Sequence, residues 1–270
     1  MDCIYHLFPD IADQTTTTKG SKQWPTSVWC DAGIFVPKCA SVIGTCLSSQ
    51  RWKSRYYTTK LKNTGWICRY MNNKFGLSHD IQASVFQWAS SNGHVNVLQF
   101  LVDLELTTEK PDHLAFARSE DNWSFRCAAR NGHVNVLQFL IDLGLTIKDV
   151  KAINNWAFRY AARNGHVHVL QFLVDLGLTV EDARDKGDNW SLRSAAKNGH
   201  VNVLQFLVDF GLSAEDARAQ DNYAFRLAAS RGHVNVLQFL VNLGLTAEDA
   251  RDDNNWAFRL ASHHGHINVL

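Results

Sequence analysis

Residues 161–173 read Ala-Ala-Arg-Asn-Gly-His-Val-His-Val-Leu-Gln-Phe-Leu, and close copies of this stretch recur along the chain. The repeated histidine occurs at His94, His133, His166, His200, His233 and His266. Successive histidines lie 39, 33, 34, 33 and 33 residues apart. A fixed period of about 20–50 residues is typical of solenoids and other repeat arrays. The spacing therefore predicts a stack of similar units over residues 82–270.

Two short helices are predicted in each repeat. In the third repeat the first helix runs from Trp156 to about Asn164, with Asn155 as its N-cap. Gly165 is expected to end this helix in a left-handed conformation, and Gly177 to end the second helix in the same way. Polar residues form only a narrow stripe on the second helix, which predicts that most of its surface is buried.

Helices of about ten residues are marginal in water, so they need a neighbouring repeat to pack against. The sequence therefore predicts an all-α solenoid of antiparallel helix pairs. The predicted repeats are 82–120, 121–153, 154–187, 188–220, 221–253 and a truncated repeat at 254–270. We number them 1 to 6. Because repeat 6 stops four residues after His266, we expect apolar surface on the second helix of repeat 5 to be partly open around Val236, Phe239 and Leu240.

The run Ala-Ala-x-x-Gly-His-Val-x-Val-Leu-x-Phe-Leu at a period of 33 resembles the ankyrin repeat, in the divergent form found in amoeba-infecting giant viruses and some protists. Two family features differ. The Thr-Pro-Leu-His opening is replaced by Trp-Ala-Phe-Arg at 156–159, and the Gly-Ala-Asp finger by Gly-Leu-Thr-Ala-Glu-Asp-Ala-Arg at 244–251. Thr246 and Asp249 fit a helix capping box. We therefore predict a short helical turn where ankyrin repeats have a β-hairpin finger.

The resemblance implies a non-enzymatic scaffold that binds a protein partner on the concave face of the solenoid. It places on that face the residues that follow Ala-Ala and the asparagines that precede the first helix. The candidate partner-binding residues are Arg130, Asn131, Arg163, Asn164, Lys197, Asn198, Ser230, Arg231, Asn122, Asn155, Asn189 and Asn222. Since a basic residue recurs there in four successive repeats, we expect the partner to present an acidic surface.

A second basic column follows the aromatic residue of each first helix by three positions, as Arg159 follows Trp156. Arginine stacks on aromatic rings, so this column is interpreted as a structural ladder between repeats. The repeated histidine is interpreted as a turn residue that hydrogen-bonds between repeats. Stacked helices lie about 8–10 Å apart, whereas zinc needs nitrogen ligands at about 2 Å. We predict no metal, no cofactor and, in the absence of a nucleophile or phosphate-loop motif, no enzymatic activity.

Residues 1–81 form a basic, cysteine-containing region without the repeat. They contain ten Lys and Arg against five Asp, while residues 82–270 contain 17 basic and 21 acidic residues. The simplest interpretation is a divergent N-terminal cap. Basic residues interleaved with aromatic ones are also typical of nucleic-acid binding, which is one alternative. In the other, the Phe-Pro-Asp-Ile at 8–11 and Arg51-Trp52 resemble an F-box, which would make the chain a substrate adaptor of a ubiquitin ligase.

Composition narrows the setting in which the chain works. The net charge is +1 and no stretch has 18 uninterrupted apolar residues, which argues against nucleic acid as the main partner and against a membrane span. Six cysteines in 270 residues are too few for a disulfide scaffold, and the N-terminus lacks a secretory signal. We expect a monomer in the cytoplasm, or in the host cytoplasm for a viral protein.

Overall fold

The computed structural model describes residues 79–105, 113–184 and 188–269, which contain helices and no β-strand. The helices are α1 His79–Ser91, α2 Val95–Glu105, α3 His113–Arg130, α4 Val134–Asp142, α5 Ile147–Val150, α6 Ala152–Arg163, α7 Val167–Asp175, α8 Val180–Arg184, α9 Trp190–Lys197, α10 Val201–Asp209, α11 Ala214–Ser230, α12 Val234–Leu243, α13 Ala247–His263 and a 3₁₀ helix Ile267–Val269. The predicted all-α fold is confirmed. The expectations for residues 1–78 lie outside the described residues, so the domain boundary after residue 81 stays a prediction.

Two compact units make up the described residues. The first contains 79–90, 94–105 and 113–116, and the second contains 91–93 together with the described residues from Ala117 onward. In the first unit, α1 and α2 each bury a phenylalanine completely, at Phe86 and Phe100. The ring of Phe86 lies 5.8 Å from that of Phe116.

The same four segments recur along the second unit. A capping turn at Thr146–Val150 leads into a left-handed turn at Ile153–Asn155. Right-handed helix then continues from Trp156 to the end of α6, and α7 forms the second helix. On that second helix Val169, Leu170 and Leu173 are fully buried. The predicted helix pair is therefore confirmed, with a polar stripe left on its outer side.

Each capping turn is held by the carboxylate three residues after its Ser or Thr. In the last one, the backbone N–H of Thr246 donates to Oδ2 of Asp249 over 2.7 Å, and the threonine hydroxyl donates to the same oxygen over 3.1 Å. A carboxylate at this position satisfies a free N–H group and interacts favourably with the helix dipole. The predicted helical turn in place of a β-hairpin finger is confirmed.

Asn155 directly precedes the right-handed part of the first helix, as the sequence suggested, but its side-chain oxygen makes no capping hydrogen bond. It is the last of three successive residues with positive φ, after Ile153 at 51° and Asn154 at 53°. The equivalent triplets at 120–122, 220–222 and 253–255 have the same conformation. Asparagine tolerates this region better than most residues, and it is equally favoured at N-caps. The presence of an asparagine therefore did not distinguish a left-handed turn from a side-chain N-cap.

The apolar surface left open at the end of repeat 5 differs from the one expected. Val236 and Leu240 are fully buried, so the expectation that they are partly open is wrong, whereas Phe239 is partly exposed as expected. The exposed residues are Val234 and Val241, at 42% and 47%, with Phe258 of the following repeat at 37%. The opening therefore lies on a different side of α12.

Candidate partner-binding face

The repeated histidines connect successive repeats. Nε2 of His133 lies 3.1 Å from the carbonyl oxygen of Ser91, and Nε2 of His233 lies 3.1 Å from that of Lys197. The histidine ring also packs against the turn glycine of the preceding repeat, since a Cβ built on Gly165 would lie 3.0 Å from Nδ1 of His200. Burial lowers the pKa of His166 below its ordinary value. The predicted inter-repeat role of these histidines is confirmed.

The second basic column forms a ladder with the aromatic residues. The guanidinium of Arg126 lies 5.4 Å from the ring centroid of Trp123 in its own repeat and 5.3 Å from that of Trp156 in the next. Arg226 lies in the same way between Tyr223 and Trp256, at 5.1 and 5.2 Å. Guanidinium groups between two rings gain cation–π energy from both. The predicted structural ladder is confirmed.

The asparagines that precede each first helix form a third connection. Nδ2 of Asn122 donates to the carbonyl oxygen of Asp149 over 3.3 Å, and Nδ2 of Asn189 donates to that of Asp216 over 3.1 Å. Asn155 makes the equivalent bond to Asp182 over 3.2 Å and is half-buried. Asn122, Asn189 and Asn222 are buried. Because their amides bond the next repeat, we do not place these four asparagines on the exposed surface.

The column at the ends of the first helices is exposed, and it is the feature that remains available to a partner. Arg130, Arg163, Lys197 and Arg231 all lie on the surface. Among the described residues, none of the four forms an ion pair. We call these four residues the basic column. Ser230 does not belong to the exposed surface, because it is buried and its hydroxyl donates to the carbonyl oxygen of Leu227 over 2.8 Å.

The asparagines beside the basic column are exposed and already hold the turns in place. Nδ2 of Asn131 donates to the carbonyl oxygen of Ser91, and Nδ2 of Asn164 donates to that of Arg130, both over 2.7 Å. Asn198 instead donates to the carbonyl oxygen of Ser194 in its own helix over 2.8 Å. These bonds fix the direction of each side chain, and the carbonyl half of each amide carries no bond to the repeat stack among the described residues.

Several cations elsewhere in the second unit are paired with carboxylates of the following repeat. Lys151 contacts Asp182 at 2.8 Å in the capping turn of the next repeat, and Arg184 contacts Asp216 at 3.1 Å in the same arrangement. Burial raises the pKa of Asp216, but hydrogen bonds from Arg184, Ser213 and Asn189 outweigh it and hold the pKa below its ordinary value. Within residues 79–105, 113–184 and 188–269, no carboxylate pairs with the basic column.

A cleft of about 210 Å³ opens between the first helices of three successive repeats. Its lining residues are Arg163, Trp190, Arg193, Ser194, Lys197, Asn198, Tyr223 and Leu227. Arg193 is neutralised by Asp188, whose Oδ1 lies 2.5 Å from Nη2 of the arginine. Among the described residues, Arg163 and Lys197 of the basic column thus remain unpaired, in a cleft that is also lined by Trp190, Tyr223 and Leu227. Sequence reasoning found these two cations but not the cleft, which exists only once the repeats are stacked.

Other chemistries find little support in the described part of the chain. No group of three or more His, Cys, Asp or Glu side chains is placed there to hold a metal ion. Cys127 is buried, and burial raises the pKa of its thiol, which disfavours the reactive thiolate. None of the helices within that part is both long and apolar enough to cross a bilayer.

Stacked helix pairs with an exposed column of residues define a repeat module of the protein-interaction class. A family model described as ankyrin repeats (3 copies) matches residues 86–183 and 125–216, and one described as ankyrin repeats (many copies) matches 192–241. These matches together extend from residue 86 to residue 241, and the chain belongs to the ankyrin-repeat family. Ankyrin repeats are typically non-enzymatic modules that bind other proteins. No curated protein matches the chain.

Proposed function

We propose that this chain is a non-enzymatic scaffold that binds a protein partner on the face formed by the ends of its first helices. The observation that carries the proposal is the basic column, whose four cations are exposed and unpaired among the described residues. Charged groups on a protein surface steer a partner of opposite charge and fix its register. We infer that this face is the concave face of the solenoid.

Seven of the predicted residues support this proposal. They are Arg130, Asn131, Arg163, Asn164, Lys197, Asn198 and Arg231, all of which are exposed. We call the surface that they form the partner face. The four asparagines before the first helices and Ser230 are left out because they bond within the repeat stack.

The remaining parts of the proposal concern the setting of the protein. We propose a cytoplasmic monomer without a cofactor, and a source among giant viruses or protists. Recruitment of a ubiquitin ligase and nucleic-acid binding both depend on residues 1–78, which lie outside the described residues. They remain competing hypotheses that the experiment below separates from the proposal.

Site-specific photo-crosslinking in the full chain tests the partner face. A benzoylphenylalanine replaces Asn164 on this face, outside the cleft, and a second version carries it at Gln205, which is exposed on the second helix of repeat 4. The proposal expects cross-links to protein from the first position and few from the second. Cross-links from the Gln205 position alone would contradict it.

The double charge reversal Arg163→Glu with Lys197→Glu in the full chain provides a second measurement. We expect partner capture to fall while the helical circular dichroism stays the same, because both side chains are exposed and unpaired. Captured ligase subunits or nucleic acid that are insensitive to this reversal would favour the N-terminal alternatives.

A further inference from the structure

We infer that the cleft between repeats 3 and 5 is a binding pocket for the carboxylate side chain of a glutamate in an acidic segment of the partner protein. The inference rests on the proposed function and names the chemistry that the partner face selects. It starts from the position of two cations, Arg163 and Lys197, on the rim of one cleft.

The charge of the cleft is positive because one of its three cations is neutralised and two are not. Arg193 is paired with Asp188, and it also donates through Nη1 to the side-chain oxygen of Gln220. Within the described residues, Arg163 and Lys197 contact no carboxylate, and the guanidinium of Arg163 lies 5.4 Å from the ring centroid of Tyr160. A carboxylate between them would accept charge-assisted hydrogen bonds from both sides.

The walls of the cleft suit the aliphatic part of a glutamate. Trp190, Tyr223 and Leu227 line it beside the cations. Both rings are held in place by the arginine ladder, with Arg159 at 4.5 Å from the Trp190 centroid and Arg193 at 5.3 Å from that of Tyr223. A pocket that is already ordered loses little entropy when it binds a side chain.

Size and charge both favour a protein ligand over a nucleic acid. A volume of about 210 Å³ accommodates one side chain and not a run of nucleotides. Nucleic-acid binding depends on many phosphate contacts and thus on an extended basic surface. Residues 82–270 carry 17 basic and 21 acidic residues, so the repeat array offers a local basic site on an acidic background.

Fluorescence anisotropy of a fluorescein-labelled octaglutamate peptide with the full chain tests this pocket. The neutral variant Arg163→Gln with Lys197→Gln is expected to raise Kd about tenfold or more, since it removes the charge-assisted hydrogen bonds from both cations to the carboxylate. The matched control Lys148→Gln with Arg251→Gln removes two exposed cations from capping-turn helices and is expected to leave Kd within about twofold. Equal loss of affinity in the two double variants, or no loss in the first, would overturn the inference.

A second variant separates a pocket from diffuse attraction. Asn198→Trp fills the cleft and keeps both cations, so it is expected to weaken the peptide, whereas Gln205→Trp on the second helix is not. Circular dichroism and melting confirm that each variant is folded. Peptide affinity that survives Asn198→Trp would overturn the pocket. The pocket would also be overturned if the cleft variants lost binding to a labelled single-stranded DNA but kept binding to the peptide.

The outcome also distinguishes this inference from the proposed function. If the cross-links from position 164 persist while octaglutamate binding does not depend on Arg163 and Lys197, the partner face stands and the glutamate pocket is wrong. If the cross-links themselves come from the second helix, the proposed function fails.

Discussion

Gly165 meets two requirements that together leave no other choice of residue. Its φ of +83° lies in the left-handed region, and a Cβ there would lie 3.0 Å from Nδ1 of His200. Gly177 meets only the first requirement, with φ at +103° and no atom within 4 Å of an added Cβ. A comparison of substitutions at the two glycines therefore distinguishes the cost of backbone strain from the cost of losing the contact between repeats.

Gly165→Ala is expected to destabilise the protein more than Gly177→Ala does. Each alanine costs about 1 kcal/mol for its left-handed backbone. Only the first also displaces the histidine ring of the next repeat. Urea unfolding followed by circular dichroism measures both free energies. In a His200→Ala background the two costs should become equal, and a difference that persists there would show that the histidine contact is not its cause.

The left-handed turn is the element that the sequence did not predict. Ile153 has φ at +51° although its branched side chain disfavours that region, and the equivalent positions carry Glu120, Gln220 and Asp253. The side chain is 45% exposed, so burial offsets little of the strain. The conformation is imposed by the register between the capping turn and the first helix.

Ile153→Asn is expected to stabilise the protein by about 1 kcal/mol, because asparagine adopts the left-handed region more readily. The control is Ile147→Asn, which changes an isoleucine of similar exposure, 39%, where φ is not positive. Thermal unfolding of both variants is compared with the parent chain. A gain at both positions would point to removal of an exposed apolar side chain instead of relief of backbone strain.

Local signals predicted some elements and failed for others. The capping turn could be predicted because Thr246 and Asp249 lie three residues apart and complete their bonds within one helical turn. The asparagine connections could not, since Asn189 bonds a carbonyl 27 residues away and the partner becomes visible only when repeats are stacked. For the same reason, the cleft beside Lys197 could not be predicted from the sequence.

Asp216→Asn tests the capping turn as an electrostatic element. The pKa of this carboxyl is below its ordinary value, despite its burial, because Arg184, Ser213 and Asn189 bond the charged form. A lowered folded pKa stabilises the fold above the unfolded pKa of about 3.9, and this stabilisation is lost as pH falls through the folded value. At pH 7 the variant is expected to lose about 1–3 kcal/mol of unfolding free energy.

The difference from the parent chain should shrink as pH falls below about 4, because Asp216 is then protonated in the unfolded chain and the advantage of its charged folded form is progressively lost. Urea unfolding at pH 7 and pH 3 measures it. Glu248→Gln is the control, since this exposed carboxylate occupies the same turn of the last capping helix without bonding the next repeat. A penalty for Asp216→Asn that is as large at pH 3 as at pH 7 would assign the effect to shape and not to charge.

At the scale of the molecule, each repeat of the second unit depends on its neighbour for the same set of contacts. Histidine, arginine, asparagine and capping carboxylate all bond across the repeat boundary, so stability rises with every added interface. At repeat 6 the histidine still connects to its neighbour, since Nε2 of His266 lies 3.2 Å from the carbonyl oxygen of Ser230. The arginine and asparagine positions face solvent there: Arg251 at the end of repeat 5 and Asn255 and Arg259 of repeat 6 are exposed, whereas Arg226 and Asn222 of repeat 5 are buried.

An apolar cleft of about 170 Å³ accompanies this exposed end, and it leads to the last prediction. Phe225, Val234, Val241 and Phe258 line it, and two of these, Val234 and Val241, are more than two-fifths exposed. Adding Gln-Phe-Leu-Val-Asp-Leu-Gly-Leu after Leu270 continues the second helix of repeat 6 over this surface. Each large side chain that it buries contributes about 1.5–3 kcal/mol, and 1 kcal/mol corresponds to roughly 2–4 °C in Tm.

We therefore expect the extended chain to melt several degrees higher, at about 2–4 °C per kcal/mol, and to be monomeric by light scattering. The control extension has the same length, with serine in place of its phenylalanine, valine and leucines. It adds residues without apolar surface, so the chain that carries it should have the same Tm as the parent chain. If the parent chain is already monomeric and both extended chains melt with it, the exposed valines do not limit its stability. The end of the array would then tolerate open apolar surface because the buried part of α12, at Val236 and Leu240, already closes the core.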